Sequence, residues 1–387
     1  MGRYKAAEAR IKQIEALAAA ENAKWEEVVD IFNARFIVPF TLHVKNRVKV
    51  RLGQAKMMEL DFLYLDYADS TKTAKIKEQD LKDWLSNGEK KAYYVLQVMF
   101  EIERRRQDNE ETLVIIDDIA DSFDYQNKYA IIQYLVDTAD DGPFKPIILT
   151  HNFDFFRTIQ SRFVGRQNCL MVLKNDTGIS LEPAVAVNDI FSSNWKAHFF
   201  DDDRKKVACI PFLRNLIQIK EGSADPSFRE LTRMLHWRPE TAALTVGNLD
   251  ANYHLVCGAG GQSSANPAQG IYDLIVSVAD ALPPPAGINL ENKIVLAIAI
   301  RLRAERFMVE RIAEQAFWEG LGKFQTPKLI KRFKEKFGGE METIKTLAEV
   351  SLMTPENIHL NSFMYEPLID MDDGNLRKLY ADVKALV

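Results

Sequence analysis

The chain has 387 residues, 47% of them apolar and 27% charged, the profile of a globular protein of one to three domains with room for a sizeable core. A net charge of −5 excludes a global basic field, so any contact with nucleic acid has to use local patches. No uncharged apolar run reaches the roughly eighteen residues of a membrane span, and Met1-Gly2-Arg3-Tyr4-Lys5 opens on charge with no signal-peptide core, so the expected location is the cytoplasm with no membrane partner.

Taken in chain order, Arg3 to Phe36 is rich in Ala, Glu and Lys, with Ile11, Ile14, Leu17, Val28, Ile31 and Phe32 at helical spacing. This predicts one long amphipathic helix or the end of a coiled-coil arm. Phe40 to Leu52 alternates apolar and basic residues around Asn46-Arg47 and predicts a β-hairpin, Leu60 to Leu65 predicts a strand, and Asp69 to Glu78 reads as a polar connection. A helix is predicted from near Ser86 to about Arg106. Thr112-Leu113-Val114-Ile115-Ile116-Asp117-Asp118 reads as a buried strand ending in acid, Tyr129 to Val136 as a helix, and Pro146-Ile147-Ile148-Leu149-Thr150 as a second strand ending at His151. Strand, helix, strand predicts a parallel α/β sheet, whose ligand sites lie at the carboxyl ends of the strands.

Asp176 to Asp203 reads as irregular, with a boundary at Asp201-Asp202-Asp203, and the remainder of the chain is mostly helical. Loops interrupt it at Cys257 to Pro267 and at Pro283-Pro284-Pro285. The expected organisation is an arm end over 1–36, an α/β portion over 37–203 and a mainly helical domain over 204–387. Cys169, Cys209 and Cys257 are odd in number and lack CxxC spacing, which argues against a disulfide framework and a structural zinc site.

Leu85-Ser86-Asn87-Gly88-Glu89 opens a helix in the manner that aims backbone N–H groups at a phosphate, although Ser-x-Gly-Glu is also an ordinary N-cap. Asp117 at a strand end suits Mg²⁺, and Asp118 beside it could orient a water, although paired acids also make solvated turns. In this order, Leu85 to Glu89, Ile115 to Asp118, Ser122-Phe123-Asp124 and Leu149-Thr150-His151 resemble the signature motif, Walker B, D-loop and switch histidine of ABC-type ATPases, nearest to the coiled-coil branch with SMC and RecF-like proteins. The resemblance implies ATP or another NTP as cofactor, bound through Ser86, Gly88, Glu89, Asp124 and His151, with Mg²⁺ on Asp117 and Asp118 in the catalytic carboxylate position. Two departures stand out. Asp118 replaces the usual Glu, and the chain has no GxxxxGK[ST], so a phosphate-loop half or a second ABC head is expected as partner, and ATP hydrolysis by this chain alone is not expected.

From Asn292 to about Gln315, Ile294, Ile298, Met308 and Ile312 form one helical seam, interrupted at Arg301 and Glu305. The two could form an i,i+4 ion pair, but a seam position would desolvate both. His359 lies in the polar, aromatic stretch Pro355 to Pro367 and could be structural; with Arg301 and Glu305 it could also complete a metal-free ribonuclease set. In that set Glu305 takes the proton of a ribose 2′-hydroxyl, His359 protonates the leaving 5′-oxygen and Arg301 stabilises the phosphorane. Lys328, Lys331, Arg332 and Phe333 interleave basic and aromatic chemistry suited to RNA, or form a solvated helix face.

The ABC-type motifs followed by Ile210-Pro211-Phe212-Leu213-Arg214-Asn215-Leu216, by Asn289 to Glu305 and by Asn357-Ile358-His359-Leu360-Asn361-Ser362-Phe363 resemble the PrrC/RloC type of tRNA anticodon nuclease over essentially the whole chain. That resemblance implies a nucleotide-regulated nuclease acting as an antiphage toxin on tRNA, with Arg301, Glu305 and His359 as its active set, no metal at the cleavage site, and a homo-oligomer. The competing expectation is an SMC/RecF-like DNA-sensing ATPase head whose helical C-terminal domain binds a partner or effector.

Overall fold

The computed structural model describes residues 26–44, 60–66, 69–76, 85–119, 125–140, 143–175, 178–184, 191–258, 260–283, 290–322, 324–354 and 371–386. The predicted arm before residue 26, Asp124, His359 and the turn at Asn46-Arg47 lie outside these. Two compact units divide at Val164 and Gly165, whereas the sequence reading set its boundary at 203.

In the N-terminal unit, residues 26–35 form helix α1, which buries Val28, Val29 and Phe32. Strands β1 (Phe40–Val44), β2 (Leu60–Asp66) and β3 (Asp69–Ile76) make an antiparallel sheet in that order, with Phe40 opposite Tyr64 and Phe62 opposite Ile76. The stretch expected to be a polar connection is thus an edge strand: its Thr-rich alternation pairs with β2 although it has few apolar side chains to announce it.

Helix α2 (Asn87–Gln107) presents Ala92, Val95, Leu96, Met99 and Ile102 at helical spacing to the core. Then come β4 (Thr112–Asp117), α3 (Tyr125–Ala139), β5 (Phe144–Leu149) and α4 (Phe153–Arg162). β4 and β5 pair in parallel with Ile116 opposite Ile148 and Asp117 opposite Leu149, as the strand, helix, strand order requires. One expectation fails here. Leu113, Ile115, Ile147 and Leu149 are exposed, so these strands are apolar on both faces but covered on only one among the described residues.

The C-terminal unit starts with the antiparallel pair β6 (Leu170–Asn175) and β7 (Gly178–Pro183) and a short π-helix at Phe191–Trp195, so the segment expected to be irregular carries structure. Its helices are α5 (Asp203–Glu221), α6 (Pro226–Leu235), α7 (Val246–Cys257), α8 (Ile271–Asp280), α9 (Leu290–Ile312), α10 (Gln315–Glu319), α11 (Gln325–Lys336), α12 (Met341–Met353) and α13 (Asp373–Lys384). Asp202, Asp225 and Asp372 cap α5, α6 and α13 by accepting N–H donors of the first turn. Gly258 ends α7 at φ 67, a left-handed conformation that costs a glycine little. α9 is apolar around most of its circumference, so it sits at the centre with α5, α8, α11 and α13 packed on it. Among its buried residues are Arg301, 5% exposed, and Glu305, 0% exposed.

Candidate functional sites

In the N-terminal unit the candidate residues gather at the carboxyl ends of β4 and β5. The Asp118 N–H donates to the Leu149 carbonyl at 2.9 Å, extending the parallel ladder past the last strand residue. That bond goes with a left-handed backbone at Asp118, φ 45, which is uncommon outside glycine. The turn brings Asp118 onto His151: Oδ1 accepts the His151 N–H at 3.1 Å and Oδ2 meets Nδ1 at 2.8 Å. Burial would raise the Asp118 carboxyl, but the His151 backbone and ring hydrogen bonds, the His151 charge and Lys91 outweigh it and lower its pKa. The pair remains open, with the Asp118 and His151 side chains 39% and 65% exposed. Asp117 is exposed beside it.

Ser86 caps α2 in a reciprocal box: its Oγ accepts the Glu89 N–H at 3.4 Å, while Glu89 Oε2 accepts the Ser86 N–H at 2.7 Å. The N-cap role of Ser-x-Gly-Glu is therefore realised, with Gly88 in the first turn, where backbone N–H groups lack intrahelical partners. Among the described residues no group of three His, Cys, Asp or Glu side chains is arranged to hold a metal ion.

The C-terminal unit holds a different site. Glu305 projects from α9 into a shell of four donors. His236 Nδ1 lies 2.9 Å from Oε1, the Thr326 hydroxyl donates to Oε1 at 2.5 Å, and the Trp237 N–H and Gln325 Nε2 each donate to Oε2 at 2.8 Å. Arg301, one turn earlier, donates from Nη1 to Thr326 Oγ1 at 2.5 Å and from Nη2 to both the Thr354 carbonyl and its Oγ1. Arg301 and Glu305 are thus joined through Thr326, which donates to one and accepts from the other.

Local sequence sets these groups in place. α6 ends at Leu235, and His236 turns to extended backbone with its N–H on the Thr232 carbonyl. Buried Thr241 donates from its hydroxyl toward the Arg233 and His236 carbonyls and accepts the Arg238 N–H at 2.8 Å, tying down the turn that carries His236 and Trp237. Gln325 and Thr326 come from the first turn of α11, which begins after Phe324, held at φ 60.

Burial by itself would raise the Glu305 carboxyl. The His236 charge and hydrogen bond, the Arg301 guanidinium and the Thr326 hydroxyl outweigh it and hold the pKa below its ordinary value. Of the coupled pair, Glu305 is fully enclosed while the His236 side chain is 12% exposed. Trp237, the next residue, packs edge-on to Tyr272 at 5.1 Å, and Arg306 lies 5.2 Å from both rings.

The predicted RNA contacts on α11 separate into two kinds. Lys328 and Lys331 face solvent. Arg332 is engaged by Glu314 at 2.8 Å and Glu335 at 3.1 Å, and Phe333 is wholly buried against Phe307 and Phe337, so its ring offers no face to a base.

Sequence reasoning paired Glu305 with His359, which lies outside the described residues, and did not find His236. No local pattern joins two residues so far apart in the chain; the available signal was a histidine directly after the apolar helix Leu231, Met234, Leu235. No protein-family model, curated protein or solved structure matches the chain.

Proposed function

We propose that this protein is a nucleotide-regulated RNA endonuclease that cuts tRNA in the anticodon loop by 2′-hydroxyl attack, with Arg301, Glu305 and His359 in its cleavage centre. The observation that carries this reading is the four-donor shell around buried Glu305. An ionised carboxylate in a helix seam costs several kcal/mol unless it is compensated, and a stable core has no need of one. Charged groups held at such cost, with a histidine at the solvent edge, are the arrangement expected where protons are moved. The cluster of Trp237, Tyr272 and Arg306 offers aromatic rings and a cation, chemistry suited to an unstacked base and a phosphate.

In the reaction, Glu305 takes the proton of the 2′-hydroxyl as the 2′-oxygen attacks phosphorus, the bond to the 5′-oxygen breaks, and a 2′,3′-cyclic phosphate and a 5′-hydroxyl form. Arg301 contributes positive charge for the phosphorane, and His359 supplies the proton for the leaving oxygen. The N-terminal unit is the regulatory part in this reading. Its exposed Asp117 fits a carboxylate that Mg²⁺ takes beside nucleotide phosphates, Asp118 stands in the catalytic carboxylate position, and Ser86, Gly88, Glu89, Asp124 and His151 would complete the nucleotide site. A bound nucleotide and Mg²⁺ would supply phosphate charge that this edge can sense.

The second reading, a DNA-sensing ATPase head with a partner-binding helical domain, draws on the Asp118–His151 pair, which would serve a nucleotide whether or not RNA is cut. Replacing His359 by Ala separates them. The nuclease reading expects tRNA cleavage and cell toxicity to disappear with the fold retained, and retained cleavage removes His359 from the mechanism.

A further inference from the structure

We propose that the first turn of α11 is an autoinhibitory plug, in which the Thr326 hydroxyl holds the place of the ribose 2′-hydroxyl between Arg301 and Glu305. The proposal rests on the ribonuclease reading above and adds the regulation of that same centre: the strap from α10 to the first turn of α11 has to lift before RNA can enter.

A base must come within about 2.6–3.2 Å of the group whose proton it removes. In this structure no part of Glu305 is exposed, and Arg301 is almost as fully covered. The cover over the pair includes Gln325 and Thr326, both buried themselves. Thr326 Oγ1 donates to Glu305 Oε1 and accepts from Arg301 Nη1, each at 2.5 Å. A 2′-hydroxyl in the cleavage centre would make the same two bonds, with its proton toward the carboxylate and its oxygen beside the guanidinium. Two hydroxyls cannot occupy that position together, so the observed arrangement is a closed one.

The donors to Glu305 come from two places, and the two are held differently. His236 and Trp237 belong to a turn tied down by buried Thr241. Gln325 and Thr326 open a helix whose N-cap, Phe324, gives no side-chain bond, stands two-thirds exposed and is held at φ 60. Before it, the short helix α10 buries no residue, and Ala313, ahead of α10, is also left-handed at φ 51. Left-handed backbone is costly for alanine and phenylalanine and persists only where surrounding bonds impose it.

Those bonds are few. The Trp237 carbonyl accepts Trp318 Nε1 at 3.2 Å and Gln325 Nε2 at 2.7 Å, and Arg238 donates to the Leu321 and Gly322 carbonyls. The body of α11 is anchored separately, by buried Leu329, Ile330 and Phe333 and by Arg332 and Lys336 on Glu314. A segment with little buried apolar surface between two anchored ends is the kind that opens locally while its surroundings stay folded. When it lifts, the neutral donors of Gln325 and Thr326 withdraw, and His236 and Trp237 keep the carboxylate oriented.

The experiment follows tRNA cleavage and backbone hydrogen exchange in full-length wild type, Trp318→Phe, Gln325→Met and Phe324→Asn, with thermal unfolding to verify the fold. Trp318→Phe and Gln325→Met remove latch donors at similar side-chain size. They are expected to cleave faster than wild type, by about threefold or more and about tenfold or more, the ratios set by a neutral and a charge-assisted hydrogen bond. Asparagine tolerates the left-handed backbone, so Phe324→Asn favours the closed strap and is expected to cleave about threefold more slowly. Exchange at α10 and the first turn of α11 is expected to rise in the first two variants and fall in the third. A merely structural role for Gln325 moves the rate the other way. Folded Trp318→Phe and Gln325→Met that cleave no faster than wild type, or exchange there that is the same in all four proteins, overturn the plug and leave the ribonuclease reading in place. RNA left intact by wild type and all three variants defeats the ribonuclease reading, and the plug with it.

Discussion

The two units each hold a carboxylate against a histidine Nδ1 at nearly the same distance, 2.8 Å for Asp118 and His151 and 2.9 Å for Glu305 and His236. The two pairs do opposite physical work. The first stands at open strand ends where water screens it, so breaking it costs little and a ligand can compete for either partner. In the second the carboxylate is sealed in a helical core, where it is tolerated only because its surroundings were built around it. An exposed pair suits a sensor whose partners are exchanged; an enclosed pair suits a centre whose geometry must not change.

The sharpest way to break this contrast is to remove the enclosed carboxylate. Glu305→Ala leaves His236, Thr326, Gln325 and the Trp237 N–H without their shared acceptor, and is expected to lower stability by about 3–5 kcal/mol in denaturant unfolding. A loss under about 1 kcal/mol would mean that the shell is not a stabilising network.

A pH series sharpens the same point. The folded pKa of Glu305 lies below its ordinary value of 4.5, so its contribution is fully present above that value and is lost as pH falls through the folded one. The stability difference between wild type and Glu305→Gln is therefore expected to shrink as pH drops below 4.5. A difference that grows on acidification contradicts the assignment.

For the exposed pair the expected effect on folding is smaller. Asp118→Asn keeps the left-handed turn accessible to its side chain and should change stability by less than about 1 kcal/mol, measured by thermal unfolding. Asp117→Asn is expected to leave RNA cleavage chemistry intact while altering its response to nucleotide; an unchanged response would show that this edge does not regulate. The smallest effect is expected at Arg332→Ala, which removes surface ion pairs to Glu314 and Glu335 and should cost no more than about 0.5 kcal/mol.

Much of the architecture was legible because the relevant signals are local. The run from Thr112 to Asp117, apolar and β-branched and ending in acid, announces a strand wherever it sits, and the Ser86–Glu89 spacing announces a helix start. β3 was hidden because an edge strand in antiparallel pairing needs little hydrophobicity. The open face of Leu113, Ile115, Ile147 and Leu149 was hidden because composition tells which residues could be buried, not which are. The site divides in the same way. Arg301 and Glu305 show themselves as charges in an apolar seam on one helix. His236, Gln325 and Thr326 reach them by tertiary packing, from a helix end and a helix start with no shared motif.

The most direct measurement is to map the ends left on tRNA by the purified full-length chain and by Glu305→Gln, both verified as folded. The account predicts a wild-type cut in the anticodon loop bearing a 2′,3′-cyclic phosphate and a 5′-hydroxyl, with the rate reduced at least a hundredfold in Glu305→Gln, on the order expected for lost acid–base catalysis. Intact tRNA with wild type, or equal cleavage by the two proteins, would contradict it.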